Sequence, residues 1–222
     1  LPALILLGIT GVLLIKQPDA GTFLVIFTTA IAMLIVSGGR WAHIGILGGI
    51  SIAGVGILAR FKPYILARFT TFLDPSGDPL GAGYQIQQSL LAIGSGGVTG
   101  RGFGQSIQKF EQLPEPVGDS IFAVASEEFG MIGAVVIIAL FVALAVRGFQ
   151  IARHAPNYFS GLLVVGLVIL MITQSFMNIA SMLNVIPLVG VPLLFISHGG
   201  TALLFALLEA GIILQVSKYQ RA

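Results

Sequence analysis

Six runs of apolar residues, each near the length of a membrane crossing, set the terms on which this chain can fold. They fall near residues 1–15, 21–38, 43–59, 121–146, 159–182 and 201–217. About 20 predominantly apolar residues carry a helix through the roughly 30 Å hydrocarbon layer of a bilayer. In each run the apolar residues surround the helix instead of striping one face, as burial in lipid and against other helices requires. Hydrophobic residues make up 56% of the 222 and charged residues 9%, against roughly 25% charged in a soluble domain. A water-soluble globule is excluded, and an all-α polytopic membrane protein with about six transmembrane helices is expected. The net charge of +2 is too small for a nucleic-acid-binding surface, so no nucleic-acid partner is expected. The chain has no cysteine, which removes disulfides, thiolate nucleophiles and cysteine-based metal sites.

The first run opens on Leu1 with neither Met nor a basic leader, so it does not read as a secretory signal peptide. The chain is expected to begin inside a helix. Lys and Arg near helix ends are retained on the cytoplasmic side. Arg40, Arg147, Arg153, Lys218 and Arg221 share one side, whereas the short loops of the other carry only Lys16. The first side, with the C-terminus, is therefore expected to be cytoplasmic. The chain reads as one membrane domain, 1–222, whose connection 60–119 faces outward. Those 60 residues hold ten of the 20 charged residues, and so long a connection in a compact protein points to use. Within it, Tyr84–Ile93 has apolar and amide residues at helical spacing, which predicts a short amphipathic helix at the membrane surface. Gly94–Gly104 then reads as a flexible, turn-rich stretch. It satisfies neither GxGxxG nor the GxxxxGK[ST] phosphate loop, and no strand precedes it.

Ionisable groups near a membrane span are site candidates by default. Asp19 sits in the turn Lys16–Thr22, where it can also cap the second helix. Asp119 precedes the apolar run from Ile121; it can be an N-cap or a carboxylate that acts as a general base once substrate excludes water. Glu127 and Glu128 lie about 12 and 13.5 Å further along a helix, too far for a shared-proton pair with Asp119. The stretch 184–201 holds Pro187, Pro192, three glycines and His198. Such irregular apolar backbone is tolerated in membranes where it is buried in protein or lines a cavity. Glu209 lies within the last run. Arg60, Lys62, Arg68, Arg101 and Lys109 offer positive charge to anionic headgroups or phosphates.

Five strings carry a resemblance that periodicity does not supply: QPDAGT (17–22), FLDPSGDPLGAGYQIQQS (72–89), AIGSGGVTGRGFGQSIQK (92–109), LPEPVGDSIFAVASEEFG (113–130) and PLVGVPLLFISHGGT (187–201). In this order and spacing they resemble the signature segments of the shape, elongation, division and sporulation (SEDS) family, the FtsW/RodA/SpoVE proteins. The resemblance runs nearly end to end and implies the C-terminal six helices of a ten-helix fold, in a divergent, FtsW-like form. The implied activity is peptidoglycan glycosyltransfer on the outer face of the bacterial cytoplasmic membrane, polymerising lipid II into glycan strands in cell division or cell-shape maintenance. The implied partners are a class B penicillin-binding protein and other divisome or elongasome membrane proteins.

Asp119 aligns with the family's essential loop aspartate and is the implied catalytic base. Arg101, Lys109, Gln17, Asp19, Glu115, Ser197 and His198 are the implied substrate-binding residues. Arg101 and Lys109, or a divalent cation (magnesium or manganese) held together with the pyrophosphate, would stabilise the leaving group; no dense ligand set fixes a metal. Val117, Gly118 and Ser120 stand where the family has His, Thr and Phe. His198 replaces Tyr, and Val189 and Leu194 replace Thr and Pro. Two other readings stand beside the enzyme: a lipid II transporter using Glu127, Glu128 and Glu209, and a scaffold that recruits a penicillin-binding protein.

Overall fold

The computed structural model describes residues 7–11, 13, 14, 17, 19–39, 45, 48, 49, 63–77 and 81–219. The expected runs 1–15 and 43–59 fall largely outside these residues, as do Lys16, Arg40, Arg60, Lys62 and Arg221. Among the described residues the chain is helical, with no strand: α1 (Ala20–Val36), α2 (Pro63–Leu73), α3 (Ala82–Ser95), α4 (Ile121–Arg153), α5 (Tyr158–Met182) and α6 (Gly200–Ser217). Single turns at Pro75–Gly77 and Gln108–Glu111 interrupt the long connection. Helices α4, α5 and α6 are long and apolar enough to cross a membrane, and α1 is a shorter apolar helix. The architecture is that of a multi-pass membrane protein.

Small residues set the helix spacing. At Gly148 of α4 a Cβ would stand 2.3 Å from a methyl carbon of Val168 on α5, so glycine lets the two backbones approach, as close helix packing in membranes requires. Phe141, Ile151, Val164, Val168 and Met171 fill that contact, and Ala206 and Ile213 of α6 join the same core. The side chain of Asp19 caps α1 by accepting from Thr22 N–H at 3.0 Å. At Gly21 a Cβ would meet the Val189 carbonyl at 2.1 Å, and Val25 packs with Val189 and Val191. The start of α1 is thereby pressed onto the irregular stretch that follows α5.

Two expectations for the long connection change. The amphipathic helix is present over Ala82–Ser95, but its buried face meets protein. Ile86 packs in the main core with Phe122, and Ala92 packs with Leu113, Ala123 and Val124. Gly83, Ser89 and Ala92 keep that face small enough to dock on α4. The glycine-rich stretch after it is not loose, because it is built into a break in α4. Gly130 has φ 68° and ψ −166°, outside helical geometry, so α4 comprises Ile121–Phe129 and Met131–Arg153.

At that break the helical pairings of Glu127 with Met131 and of Glu128 with Ile132 are replaced. The carbonyls of Glu127 and Glu128 accept from Arg101 N–H and Gly102 N–H at 3.0 and 2.9 Å. Met131 N–H and Ile132 N–H donate to the Gly97 and Val98 carbonyls at 2.9 and 3.2 Å. Backbone approach this close needs glycine. A Cβ at Gly100 would lie 2.2 Å from the Glu128 carbonyl oxygen, and one at Gly130 would lie 2.3 Å from the Gly100 nitrogen.

Gly100→Ala is therefore expected to lower the thermal unfolding temperature of the detergent-solubilised protein far more than Gly97→Ala. Gly97 also has positive φ, 56°, but its Cβ would enter open space, which leaves about 1–2 kcal/mol of left-handed strain alone. Equal shifts for the two variants would contradict the junction.

Candidate functional site

The site is built where four segments converge on the turn that leads into α4. Leu113–Ser120 makes a tight turn in which the Glu115 carbonyl accepts from Gly118 N–H at 3.0 Å and from Ser120 N–H at 3.2 Å. Glu115 takes positive φ, 46°, to do so. The N-cap of α4 is Ser120, not Asp119. The Asp119 carboxylate is thus not spent on capping, and among the described residues none donates a hydrogen bond to it.

The backbone around Asp119 is tied down from outside. The Asn178 side-chain amide, 1% exposed on α5, donates to the Asp119 carbonyl and to the Val191 carbonyl, both at 2.7 Å. Ser197 Oγ donates to the Gly118 carbonyl at 2.8 Å while accepting from Leu193 N–H at 2.8 Å. His198 N–H donates to the Val117 carbonyl at 2.7 Å. Gln85 of α3 donates to Ser120 Oγ at 3.0 Å, and that hydroxyl donates to the Pro114 carbonyl at 2.8 Å. Each residue from 117 to 120 is held by a different partner. Gly190, at φ 62°, lies against the carboxylate: a Cβ there would make ordinary van der Waals contact with Asp119 Oδ2 at 3.5 Å.

Electrostatics single out the same group. Burial pushes the Asp119 carboxyl above the usual carboxylate range, the charge of Glu115 adds to the rise and that of Asp19 adds a little more; Arg68 of α2 opposes them. Among the described residues no three His, Asp or Glu side chains gather as a metal site. The positive charge of Arg68 acts on Asp119 from the neighbouring helix α2.

The residues singled out from the sequence divide into two places. Asp119, Asp19, Glu115, Ser197 and His198 lie together around the turn, with Ser197 and His198 holding its backbone and the His198 side chain exposed. Gln17 is exposed in the turn before α1. Arg101 and Lys109 lie instead at the helix break. Arg101 Nε is 3.3 Å from Glu127 Oε1, and Lys109 pairs with Glu128. Glu127 is fully buried and also accepts from Ser106 Oγ at 2.6 Å, Ile107 N–H at 3.2 Å and Gln108 N–H at 3.3 Å. Both carboxylates are thus held by partners from the long connection. Glu209 is half-buried on α6. A shallow cavity of about 530 Å³ lined by Val36, Phe149, Arg153, Asn157 and Tyr158 lies at the opposite helix ends and is separate from this site.

Sequence reasoning passed over Asn178 and Gln85. The available signal for Asn178 was an uncapped amide inside an apolar span, which costs free energy in lipid unless it has partners.

Comparison with known proteins bears on the family and the fold. The whole chain, residues 1–222, matches the family described as "Cell cycle protein", FTSW_RODA_SPOVE. It is 43% identical over 220 residues to "Stage V sporulation protein E" of Bacillus subtilis (strain 168), covering 99% of this chain and 60% of that protein. To "Peptidoglycan glycosyltransferase MrdB" of Escherichia coli (strain K12) it is 37% identical over 222 residues, with the same coverage. The chain thus spans about 60% of the length of these curated relatives. A solved structure described as "Structural coordination of polymerization and crosslinking by a peptidoglycan synthase complex" superposes with a TM-score of 0.76 at 28% identity, covering 98% of this chain and 61% of that one.

Asn178→Leu is expected to strip both carbonyls of their donor and to lower unfolding stability by about 1–3 kcal/mol for each group left unpaired. Thermal unfolding in detergent reads this loss. An unchanged midpoint would show that the turn does not depend on the amide.

Proposed function

The chain belongs to the FtsW/RodA/SpoVE family, and from that membership we propose that the full-length protein is a peptidoglycan glycosyltransferase that polymerises lipid II, with Asp119 as its general base. One observation carries the reading. Asp119 is a half-buried carboxylate outside the spans, neither capping a helix nor hydrogen-bonded by a described residue, on a turn held by residues of three other segments. A base needs that kind of fixed position and a pKa drawn toward working pH.

In the proposed step an acceptor sugar hydroxyl attacks the anomeric carbon of the lipid-linked donor. A carbon–oxygen bond forms, the bond from the anomeric carbon to the pyrophosphate oxygen breaks, and the pyrophosphate leaves with that electron pair. The hydroxyl proton passes to Asp119. Arg68, the cation nearest in effect to Asp119, is the residue we place against the departing negative charge, since guanidinium contacts phosphate in a bidentate manner. Arg101 and Lys109 are committed to Glu127 and Glu128, which argues for their holding the loop in place of binding pyrophosphate.

We orient the molecule with the Asp119 turn on the extracytoplasmic side and the C-terminus in the cytoplasm, as the distribution of Lys and Arg favours. A crosslinking enzyme of the class B penicillin-binding type is the proposed partner, supported by the peptidoglycan synthase complex whose fold the chain shares.

Purified full-length protein with lipid II tests the base directly. Asp119→Asn is expected to reduce glycan chain formation by about 10²–10⁴-fold, the usual contribution of a general base; chain formation equal to the unaltered protein would overturn the assignment.

The pH profile supplies a second prediction. A base acts deprotonated, so kcat/KM should fall as pH drops through the raised Asp119 pKa, above the usual carboxylate range. Arg68 lowers that pKa and Glu115 raises it. Arg68→Gln should therefore move the acid limb to higher pH and Glu115→Gln to lower pH. Shifts of the opposite sign would count against Asp119 as the titrating group.

A further inference from the structure

The glycine-rich loop built into the α4 break presents side chains that the site does not use. Phe103 is 83% exposed and Phe110 77%, with Val98 and Ile107 exposed beside them. The Phe103 ring lies 6.0 Å, centroid to centroid, from that of Phe129, the residue immediately before the break. Beyond the break Met131, Ile132, Val135 and Val136 are also exposed, which is the lipid-facing surface of a span. Through the Phe103–Phe129 contact the loop's exposed apolar residues adjoin those of α4.

Depth follows from helix geometry. The segment Met131–Arg153 is about 34 Å long at 1.5 Å per residue, against a hydrocarbon layer of roughly 30 Å. If Arg153 marks the boundary at the far end, the near edge of the hydrocarbon falls close to Ile132. If Arg147 marks it, the near edge falls close to Glu127. Either placement leaves Phe129, and Phe103 in contact with it, within about one helical turn of the membrane boundary.

Charge does not oppose immersion. Between residues 96 and 110 the only charged side chains are Arg101 and Lys109, and each is paired with a carboxylate of α4. The Lys109 ammonium also lies 4.9 Å from the Phe110 ring centroid, so ring and cation share one surface, with the aliphatic stem available to lie along lipid. The loop as folded is neutral, aromatic and pinned by backbone hydrogen bonds at membrane depth.

We propose that residues 98–110 form a membrane-seated lip on the Asp119 side of the protein, with Phe103 and Phe110 inserted between lipid molecules at the boundary of headgroups and acyl chains. Aromatic side chains favour that zone. The occupant is the lipid surface itself. Because Arg101 and Lys109 are already neutralised, seating does not require anionic lipid. The lip fixes the height at which the loop and the α4 entrance ride on the bilayer. It does not rest on the catalytic assignment.

Full-length protein with a cysteine-free background, reconstituted in phosphatidylcholine nanodiscs, tests this with single nitroxide labels at Phe103→Cys, Phe110→Cys and, as the lipid reference, Val136→Cys. Labels at 103 and 110 should collide with oxygen several-fold more often than with a water-soluble nickel chelate, as the label at 136 does. Preference for the chelate would place the lip in water and overturn the proposal. Low collision with both would place it under protein and overturn it equally. Phe103→Trp, with Trp41 and any other tryptophan of the full-length protein replaced by Phe, keeps an aromatic ring at the position and gives a second reading: brominated phosphatidylcholine should quench its fluorescence by at least half, and fluorescence equal to that in unbrominated phosphatidylcholine would overturn the proposal.

Discussion

A peptide group that leaves a helix beside a lipid layer has no water to turn to, and that constraint governs the centre of this molecule. At Gly130 the helix α4 opens, and the groups released there pair with the backbone of Gly97–Gly102. Unpaired, each would cost several kcal/mol in hydrocarbon. The exchange is local, but it anchors the long connection at its middle. From that anchor the chain reaches Leu113 and the turn before α4, while α3 docks upstream against the same helix. Glycine is required because any side chain at Gly100 or Gly130 would drive into a neighbouring carbonyl or amide.

Charge is distributed along α4 by the same logic. Near the break, Glu127 and Glu128 are neutralised by Arg101 and Lys109, and Glu127 has further donors from the Ser106–Gln108 turn. A buried carboxylate with this many partners is a fixture, since removing one partner would leave a charge uncompensated. At the start of α4 the opposite holds. Asp119 has its backbone bound and its carboxylate left available, with burial, Glu115, Asp19 and the opposing Arg68 setting its proton affinity. The two ends of one nine-residue helical segment therefore separate structure from chemistry.

Much of this was legible in the sequence. Length and uniform hydropathy of the runs at 121–146, 159–182 and 201–217 are local properties; the second and third helices observed there differ by one residue at one end, and the first runs seven residues further, to Arg153. Asp19 as a cap, and the short helix near Tyr84, follow from local pattern in the same way. The motif strings placed Asp119, Ser197 and His198 on segments that do meet. What the sequence did not carry was partnership. Gly94–Gly104 reads as loose because glycine is permissive, and nothing along the chain says that its glycines serve close approach to Ser126–Gly130. Arg101 and Lys109 read as phosphate ligands because their carboxylate partners lie about 19 to 26 residues away in the chain.

The sequence by itself determined that this chain enters a membrane, where its helices run, which family it resembles and which carboxylate stands at the edge of α4. Those properties depend on residue type and spacing, which survive without knowledge of neighbours. Only the tertiary structure decided that Asn178, Ser197 and Gln85 hold the Asp119 turn, that the charge of Arg68 acts on it, and that Glu127 and Glu128 are paired. Hydrogen bonds and ion pairs at 2.6–3.3 Å form between groups far apart in the chain. Their pairing is fixed by how helices pack, and here that packing is set by glycines at the few points where backbones touch.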